Sequence, residues 1–264
     1  MAAIDTRDTA AHLLAQLPDV PRWVETRAML RSPEVQLFAG PAVDEGVVVG
    51  LHHGAMVAVS VVGHPNAVAL ASALKDLTPM TPIVAQDENA AHVEALLKEV
   101  GPVRDGRAWS AERMLFHTLG AVRPLAPLDR AVSIRLLSSD DPLAHLPPGL
   151  RHEITHARTL YPTGAALVDG VPVSFCYGCF TSESLWDVSI DTLETHRGRG
   201  LAAHVVRFMI DRMREGGLEP IWGALESNGT SLRLAARLGF TTPAQGNIVF
   251  SRGPWAYLTG GYDF

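Results

Sequence analysis

No run of apolar residues in the 264-residue sequence approaches the roughly 18 needed to span a bilayer. The opening MAAIDTRDTAAHLL has acids where a secretion signal would have bases, so a cytoplasmic protein away from membranes is expected. Cysteine is nearly absent: Cys176 and Cys179 are the only two, in SFCYGCF, which alternates like a strand and so points them to opposite faces. That disfavours a disulfide or a metal pair, and two buried thiols are expected. Charge of one sign is scarce as well. The net charge is −6, with 10 basic and 14 acidic side chains in residues 1–127 and 12 and 14 in residues 128–264, so no basic face for nucleic acid stands out. Disorder is excluded by composition: 47% of residues are hydrophobic and 19% charged, in a chain long enough for one large domain or two ordinary ones.

What is present is an alternation of helix and strand patterns interrupted once. GAVRPLAPLDR (residues 120–130) combines prolines, mixed charge and an end to apolar periodicity, which places a boundary near residue 127 and divides the chain into 1–127 and 128–264. In the second part VSIRLL is a strand and PPGLRHEITHARTLY a helix that Pro162 stops. GAALVDGVPVSFCYGCF is a hairpin, because Asp169-Gly170 between apolar runs is a strong type I′ turn signal. LWDVSIDTL is a further strand, and residues 201–215 space Leu201, Val205, Phe208, Met209 and Met213 as a helix ending at Gly216-Gly217. PIWGALES, SNGTSLRLAARLGF and NIVFSRG follow as strand, helix and strand. The first part has two helices near residues 8–17 and 21–31, then VQLFAG, a hairpin turning at His53-Gly54, a helix from Ala67, TPIVA, a helix from Ala90 and a strand near Met114. The shared order points to a mixed α/β fold and an internal duplication.

Chemistry concentrates after the strand LWDVSIDTL, in ETHRGRGLAAH. A glycine-punctuated turn that opens a helix leaves first-turn N–H groups without acceptors at the positive end of the macrodipole, and Arg197 and Arg199 add charge there. The plain alternative is an ordinary turn before an ordinary helix. Here the chain resembles the GNAT superfamily of N-acetyltransferases, whose pyrophosphate-binding signature Q/R-x-x-G-x-G/A is matched by Arg197, Gly198, Arg199, Gly200, Leu201 and Ala202. A second family element, a strand leading to Asn and a helix ending in Leu-Gly-Phe, is matched in GALESNGTSLRLAARLGF by Asn228, Ser231, Leu238, Gly239 and Phe240.

The resemblance covers roughly residues 130–250 and implies a GNAT-like fold, with the fourth strand of the second part splayed from the fifth and acetyl-CoA in the gap. Backbone amides at Thr192 and Leu193 would bind the acetyl carbonyl and pantetheine. The 197–203 loop, through Ala203, would take the pyrophosphate, with Asn228 and Ser231 on the pantetheine side. The implied reaction is acetyl transfer to an amine, which needs a general base and amides facing the developing oxyanion. Asp187, Asp191 and Glu226 are the candidate bases, each with the alternative of a solvated or turn-bonded strand-end acid. Strand parity places Leu185, Asp187, Ser189 and Asp191 on one face and Trp186, Val188, Ile190 and Thr192 on the other.

One departure from the family stands out. Its usual proton-donating tyrosine falls at Ala235; Tyr161, Tyr257, Tyr262 or Ser231 could substitute, the thiolate could leave unassisted, or the domain could bind CoA without turnover. The first part lacks the signature, since VVGHPNAVALASAL offers Gly63 and a helix start but no arginine and no second glycine. It is expected to be a degenerate GNAT-like domain without cofactor.

RHEITHA competes with this reading, because His152, Glu153 and His156 have the H-E-x-x-H spacing of a zinc hydrolase. The extended form needs Gly and His where this chain has Thr159 and Pro162, and Glu183, the other third-ligand candidate, falls in a hairpin loop. No metal site is therefore assigned. The three residues either line the acceptor side of the cleft or form a solvated helix face.

The expectation is thus an acetyl-CoA-dependent N-acetyltransferase for a small-molecule amine, a monomer or homodimer, with a CoA-binding module lacking turnover and a zinc hydrolase as the alternatives. Replacing Gly200 with Glu is expected to abolish acetyl-CoA binding, read by calorimetric titration; surviving binding would mean a second site.

Overall fold

A computed structural model describes residues 6–40, 45–52, 56–75, 77, 81–100, 108–241 and 246–252. The expected turn at His53-Gly54 and the substitute donors Tyr257 and Tyr262 lie outside these residues. The chain forms two compact units, residues 1–116 with 225–227 and 244–257, and residues 117–224 with 228–243 and 258–264.

The first unit begins with α1 (Thr6–Gln16), a 3-10 turn (Pro21–Trp23) and α2 (Val24–Arg31). An antiparallel meander follows: β1 (Val35–Ala39), β2 (Gly46–His52) and β3 (Met56–Gly63). Valines dominate GVVVGL and MVAVSVV because a branched side chain packs well on a pleated surface. Helix α3 (Ala67–Leu74) carries the chain to β4 (Ile83–Gln86), parallel to β3, and α4 (Ala90–Val100) leads to β5 (Ser110–Leu119). Val48, Val59, Val61, Leu70, Ile83, Val93 and Leu97 are its buried core.

The second unit repeats that order. β6 (Val132–Leu136), α5 (Pro148–Leu160), β7 (Gly164–Val168), β8 (Val171–Thr181) and β9 (Leu185–Thr192) precede α6 (Leu201–Glu215), β10 (Glu219–Leu225) and α7 (Gly229–Leu238). Strands lie in the order β10-β9-β8-β7-β6, with β10 parallel to β9 and the rest antiparallel. The β7–β8 turn takes the expected form: Asp169 and Gly170 both have positive φ, 50° and 82°. One sheet face packs on α6 through Cys176, Trp186, Val188, Val205, Met209 and Ile210, and the other on α5 through Leu150, Ile154, Phe175 and Tyr177. Among the described residues no helix is long and apolar enough to cross a membrane.

Two expectations need correction. Cys176 is buried, but Cys179 is exposed within the Gly178–Thr181 register shift of β8; neither is in a disulfide. The chain also does not divide at a single point near residue 127. The last strand, β12 (Gly246–Ser251), belongs to the first unit, paired on one edge with β4 and on the other with β5. A two-residue strand, β11 (Phe240–Thr241), pairs with Leu119 and Thr118. Sequence pattern identifies β12 as a strand but carries no information on its partners, which are set by the complementary apolar faces of Val84, Met114 and Val249.

Cutting the chain after residue 127 therefore leaves β4 and β5 without the strand between them and β12 with both edges unpaired. Fragment 1–127 is expected to show no cooperative thermal transition and to bind a hydrophobic dye. Cooperative melting of that fragment alone would overturn this account of β12.

Candidate active site

Strands β9 and β10 start as neighbours and then part. Their parallel ladder comprises Leu185 with Glu219, Trp186 with Pro220 and Asp187 with Ile221, whereas β9 runs on to Thr192 and β10 to Leu225. At the parting point the Asp187 carboxylate, not a backbone carbonyl, accepts the Gly223 N–H at 2.9 Å. On its other edge β9 stays paired with β8 up to Ser174 and Thr192, and the Leu193 N–H donates to the Val173 carbonyl at 2.9 Å. Antiparallel ladders alternate their donors, so the N–H groups of Ile190 and Thr192 point away from β8, to the edge that β10 has left. Of the two amides expected to receive a ligand, Leu193 is thus already engaged and Thr192 is not turned to β8. The Thr192 hydroxyl pairs with Ser174 Oγ at 2.7 Å.

Just beyond this edge lies the start of α6. Gly198 and Gly200 both have positive φ (76° and 80°), a conformation that glycine adopts without the strain a side chain would bring, and a Cβ at either would meet nothing within 4 Å. Gly200 is the N-cap and has no side chain to cap with, while the first turn carries no acid. The N–H groups of Leu201, Ala202 and Ala203 are left at the positive end of a 15-residue helix. Arg197 and Arg199 are exposed beside them, and the Arg197 Nε–H donates back to the Thr192 carbonyl at 3.2 Å. The chemistry of this donor set suits a pyrophosphate: unpaired amides, two guanidinium groups and open space over the glycines.

On the α5 side of the sheet the Tyr177 hydroxyl lies 2.5 Å from Glu153 Oε1 and 2.9 Å from Asp191 Oδ2. A phenol has one hydrogen to donate, so two ionised carboxylates cannot both be satisfied by it. Burial first, and then the neighbouring Glu153, push the Asp191 carboxyl up to about 7, against the Tyr177 hydrogen bond and Arg197. Burial pushes Asp187 up to about 6, opposed by the Gly223 and Val188 N–H groups. The Tyr177 hydroxyl is raised well above its usual value by burial and by both acids.

The three candidate bases thus separate. Asp191 is half-buried in a cluster with a second acid, Asp187 is buried and holds β10, and Glu226 is exposed in the first unit, its N–H donating to the Arg113 carbonyl at 2.9 Å. Asn228 caps α7, accepting the Ser231 N–H at 3.1 Å, and the Ser231 hydroxyl accepts the Trp222 indole N–H at 2.9 Å. The Asn228 oxygen thus serves the start of α7 and the Ser231 hydroxyl ties α7 to β10. Ala235 is buried in the core. Tyr177 was missed in the sequence; its signal was the alternation of SFCYGCF, which places it on one face with Phe175. His152 and His156 are exposed on α5, Glu153 turns to Tyr177, and among the described residues no group of three His, Cys, Asp or Glu could hold a metal ion. The zinc-hydrolase alternative is withdrawn on that geometry.

The corresponding places in the first unit are filled. Its parallel ladder pairs Val59 with Ile83 and Ser60 with Val84. Beyond it the buried Asn89 amide donates to the Val61 and Gly63 carbonyls at 3.0 and 2.9 Å and accepts the Gln86 N–H at 2.9 Å. At the helix that follows, Asn66 caps α3 by accepting the Ala69 N–H at 3.0 Å. A bridged gap and a capped helix replace the open edge and bare N-terminus of the second unit.

The chain is similar to known proteins. The family described as GNAT acetyltransferase matches residues 164–247. An uncharacterized N-acetyltransferase, YdfB, of Bacillus subtilis (strain 168) is 38% identical over 79 residues, 30% of this chain and 30% of the relative. The match therefore spans less than a third of that relative's length. Among solved structures, a GCN5-related N-acetyltransferase-like protein from Streptococcus suis 89/1591 superposes with a TM-score of 0.60 at 16% identity, covering 94% of this chain and 98% of the other. A tandem GNAT protein from the clavulanic acid biosynthesis pathway gives 0.56 at 17% identity, covering 96% and 98%. At these identities the likeness establishes the fold, and its coverage extends over both units.

The acid cluster has a consequence for stability. Asp191 binds its proton more tightly folded, at about 7, than unfolded, at about 3.9. Between those values the folded state holds more protons than the unfolded chain, so the stability this group contributes is complete below about pH 4 and is lost as pH rises through about 7. Asp187 acts with the same sign over a narrower window. Asp191→Asn, which cannot ionise, should gain in urea midpoint relative to the native protein as pH rises from 4 to 8; a difference constant with pH would contradict the raised carboxyl.

Proposed function

With a GNAT acetyltransferase domain over residues 164–247 as its premise, we propose that the protein is an acetyl-CoA-dependent N-acetyltransferase whose acceptor is a small-molecule amine and whose working site lies in the second unit. The observation that carries this reading is the open β9 edge adjoining the uncapped start of α6. Acetyl-CoA, when bound, supplies an acyl group activated as a thioester. The Leu201, Ala202 and Ala203 amides with Arg197 and Arg199 hold its pyrophosphate. The Ile190 and Thr192 amides donate where a carbonyl oxygen gains negative charge.

Asp191 is the base. An amine is protonated near neutrality and cannot attack until it gives up that proton, and a carboxyl at about 7 is matched to the task. Asp187 is assigned a structural part, keeping β10 apart from β9, and Glu226 none. Helix α7 offers no proton donor at Ala235, and with a leaving thiol of ordinary pKa near 8.5 none is demanded. That same alanine is the observation favouring the second reading, a CoA-binding module without turnover. A cytoplasmic location belongs to the proposal.

Calorimetric titration with acetyl-CoA should give one site per chain, and a panel of amines should then release free CoA thiol. Asp191→Asn is expected to retain binding and lose about 10²- to 10⁴-fold in kcat/KM, the usual contribution of a general base. Binding without thiol release from any amine would leave the CoA-binding module; no binding by folded protein would overturn both readings.

A further inference from the structure

We propose that Glu153, Tyr177 and Asp191 act as one proton-sharing unit, in which Asp191 takes the proton of the acceptor amine, Tyr177 relays it, and Glu153 on α5 releases it to water. The inference rests on the acetyl-transfer reading and adds to it a route for the proton. In the first step an ammonium N–H bond breaks and an Asp191 O–H bond forms. Tyr177 then accepts hydrogen from Asp191 on its phenolic oxygen while its own hydrogen passes to Glu153, 2.5 Å away. Asp191 is restored as a carboxylate, Tyr177 as a phenol, and water takes the proton from Glu153, so neither charge nor hydrogen is left over.

Placement supports the direction of travel. Tyr177 is buried on the sheet face under α5, with the Asp191 carboxylate bonded to its hydroxyl. Glu153 is half-buried on a helix whose next exposed positions are Arg151, His152, Thr155 and His156. The charged and titratable groups bearing on Asp191 are Glu153 from α5, Tyr177 and Cys176 from β8, and Arg197 from the loop after β9; Cys179 bears on Tyr177. The two neighbours of the unit act on Asp191 with opposite sign. Glu153 raises its affinity for a proton as a like charge, whereas the Tyr177 hydroxyl lowers it by donating to the carboxylate.

That opposition provides the test. Protein labelled with ¹³C at the aspartate carboxyl is titrated by NMR, with Asp191 assigned from the signal lost in Asp191→Asn. Glu153→Gln should lower the Asp191 midpoint by about one pH unit and Tyr177→Phe should raise it by about one, and the acid limb of kcat/KM against pH should move the same way in each. Both replacements are nearly isosteric, and circular dichroism verifies the fold. Midpoints unmoved in both variants, or moved in the same direction, would overturn the shared unit. Opposite shifts in a native protein that releases no CoA thiol with any amine would overturn the acetyl-transfer reading instead, with the shared proton standing.

Discussion

The second unit depends on one substitution of partners, in which a side-chain carboxylate takes the hydrogen bond that a neighbouring strand would otherwise supply. Asp187 accepts the Gly223 N–H where the β9–β10 ladder ends. A buried backbone donor has to be satisfied, and a strand that leaves its neighbour normally loses that satisfaction. By supplying it from a side chain, the fold lets β10 depart while its first free amide stays bonded. The open β9 edge and the Ile190 and Thr192 donors all follow from that departure. The cost is a carboxyl buried against its preference for water, which explains its raised affinity for protons.

The two units make the same argument in opposite ways. Each runs meander, helix, parallel strand, helix, and each reaches a place where parallel strands could part. In the first unit Asn89 bonds across the place to Val61, Gly63 and Gln86, and Asn66 accepts the Ala69 N–H at the start of α3. An asparagine amide is well suited to this, since it donates to carbonyls of one strand while accepting from the other. The second unit has Gly200 at the helix N-cap where the first has Asn66, so no side-chain cap satisfies the start of α6. A repeated fold thus has one copy closed by its own side chains and one copy whose helix start carries no side-chain cap.

Much of this was legible in the sequence because it depends on local rules. Asp169-Gly170 needs positive φ at both residues, the Gly198 and Gly200 pattern needs a bare helix start, and the parity of β9 separates Asp191 from Trp186 without knowledge of any neighbour. What was not legible depends on register and on which strand meets which. NIVFSRG has the pattern of a strand in either unit, and only the pairing with Gln86, Ala85, Val84 and Ile83 on one side and β5 on the other assigns it. Likewise, Tyr177 and Asp191 are near neighbours only because Phe175 pairs with Asp191 across β8 and β9. The N-cap bond of Asn228 is local as well, since an Asn before a helix satisfies the nearby Ser231 donor with its side-chain oxygen.

RHEITHA shows how a single spacing serves two ends. Residues four apart on a helix share a face, which is why His152 and His156 look like ligands. The same period places Leu150, Ile154 and Ala157 against the sheet, and a helix that buries those three turns both histidines outward. Glu153 stands at the border of the two faces, with reach enough to put its carboxylate on Tyr177. The glutamate that the zinc reading would have used to polarise a water instead accepts the hydrogen bond of a phenol.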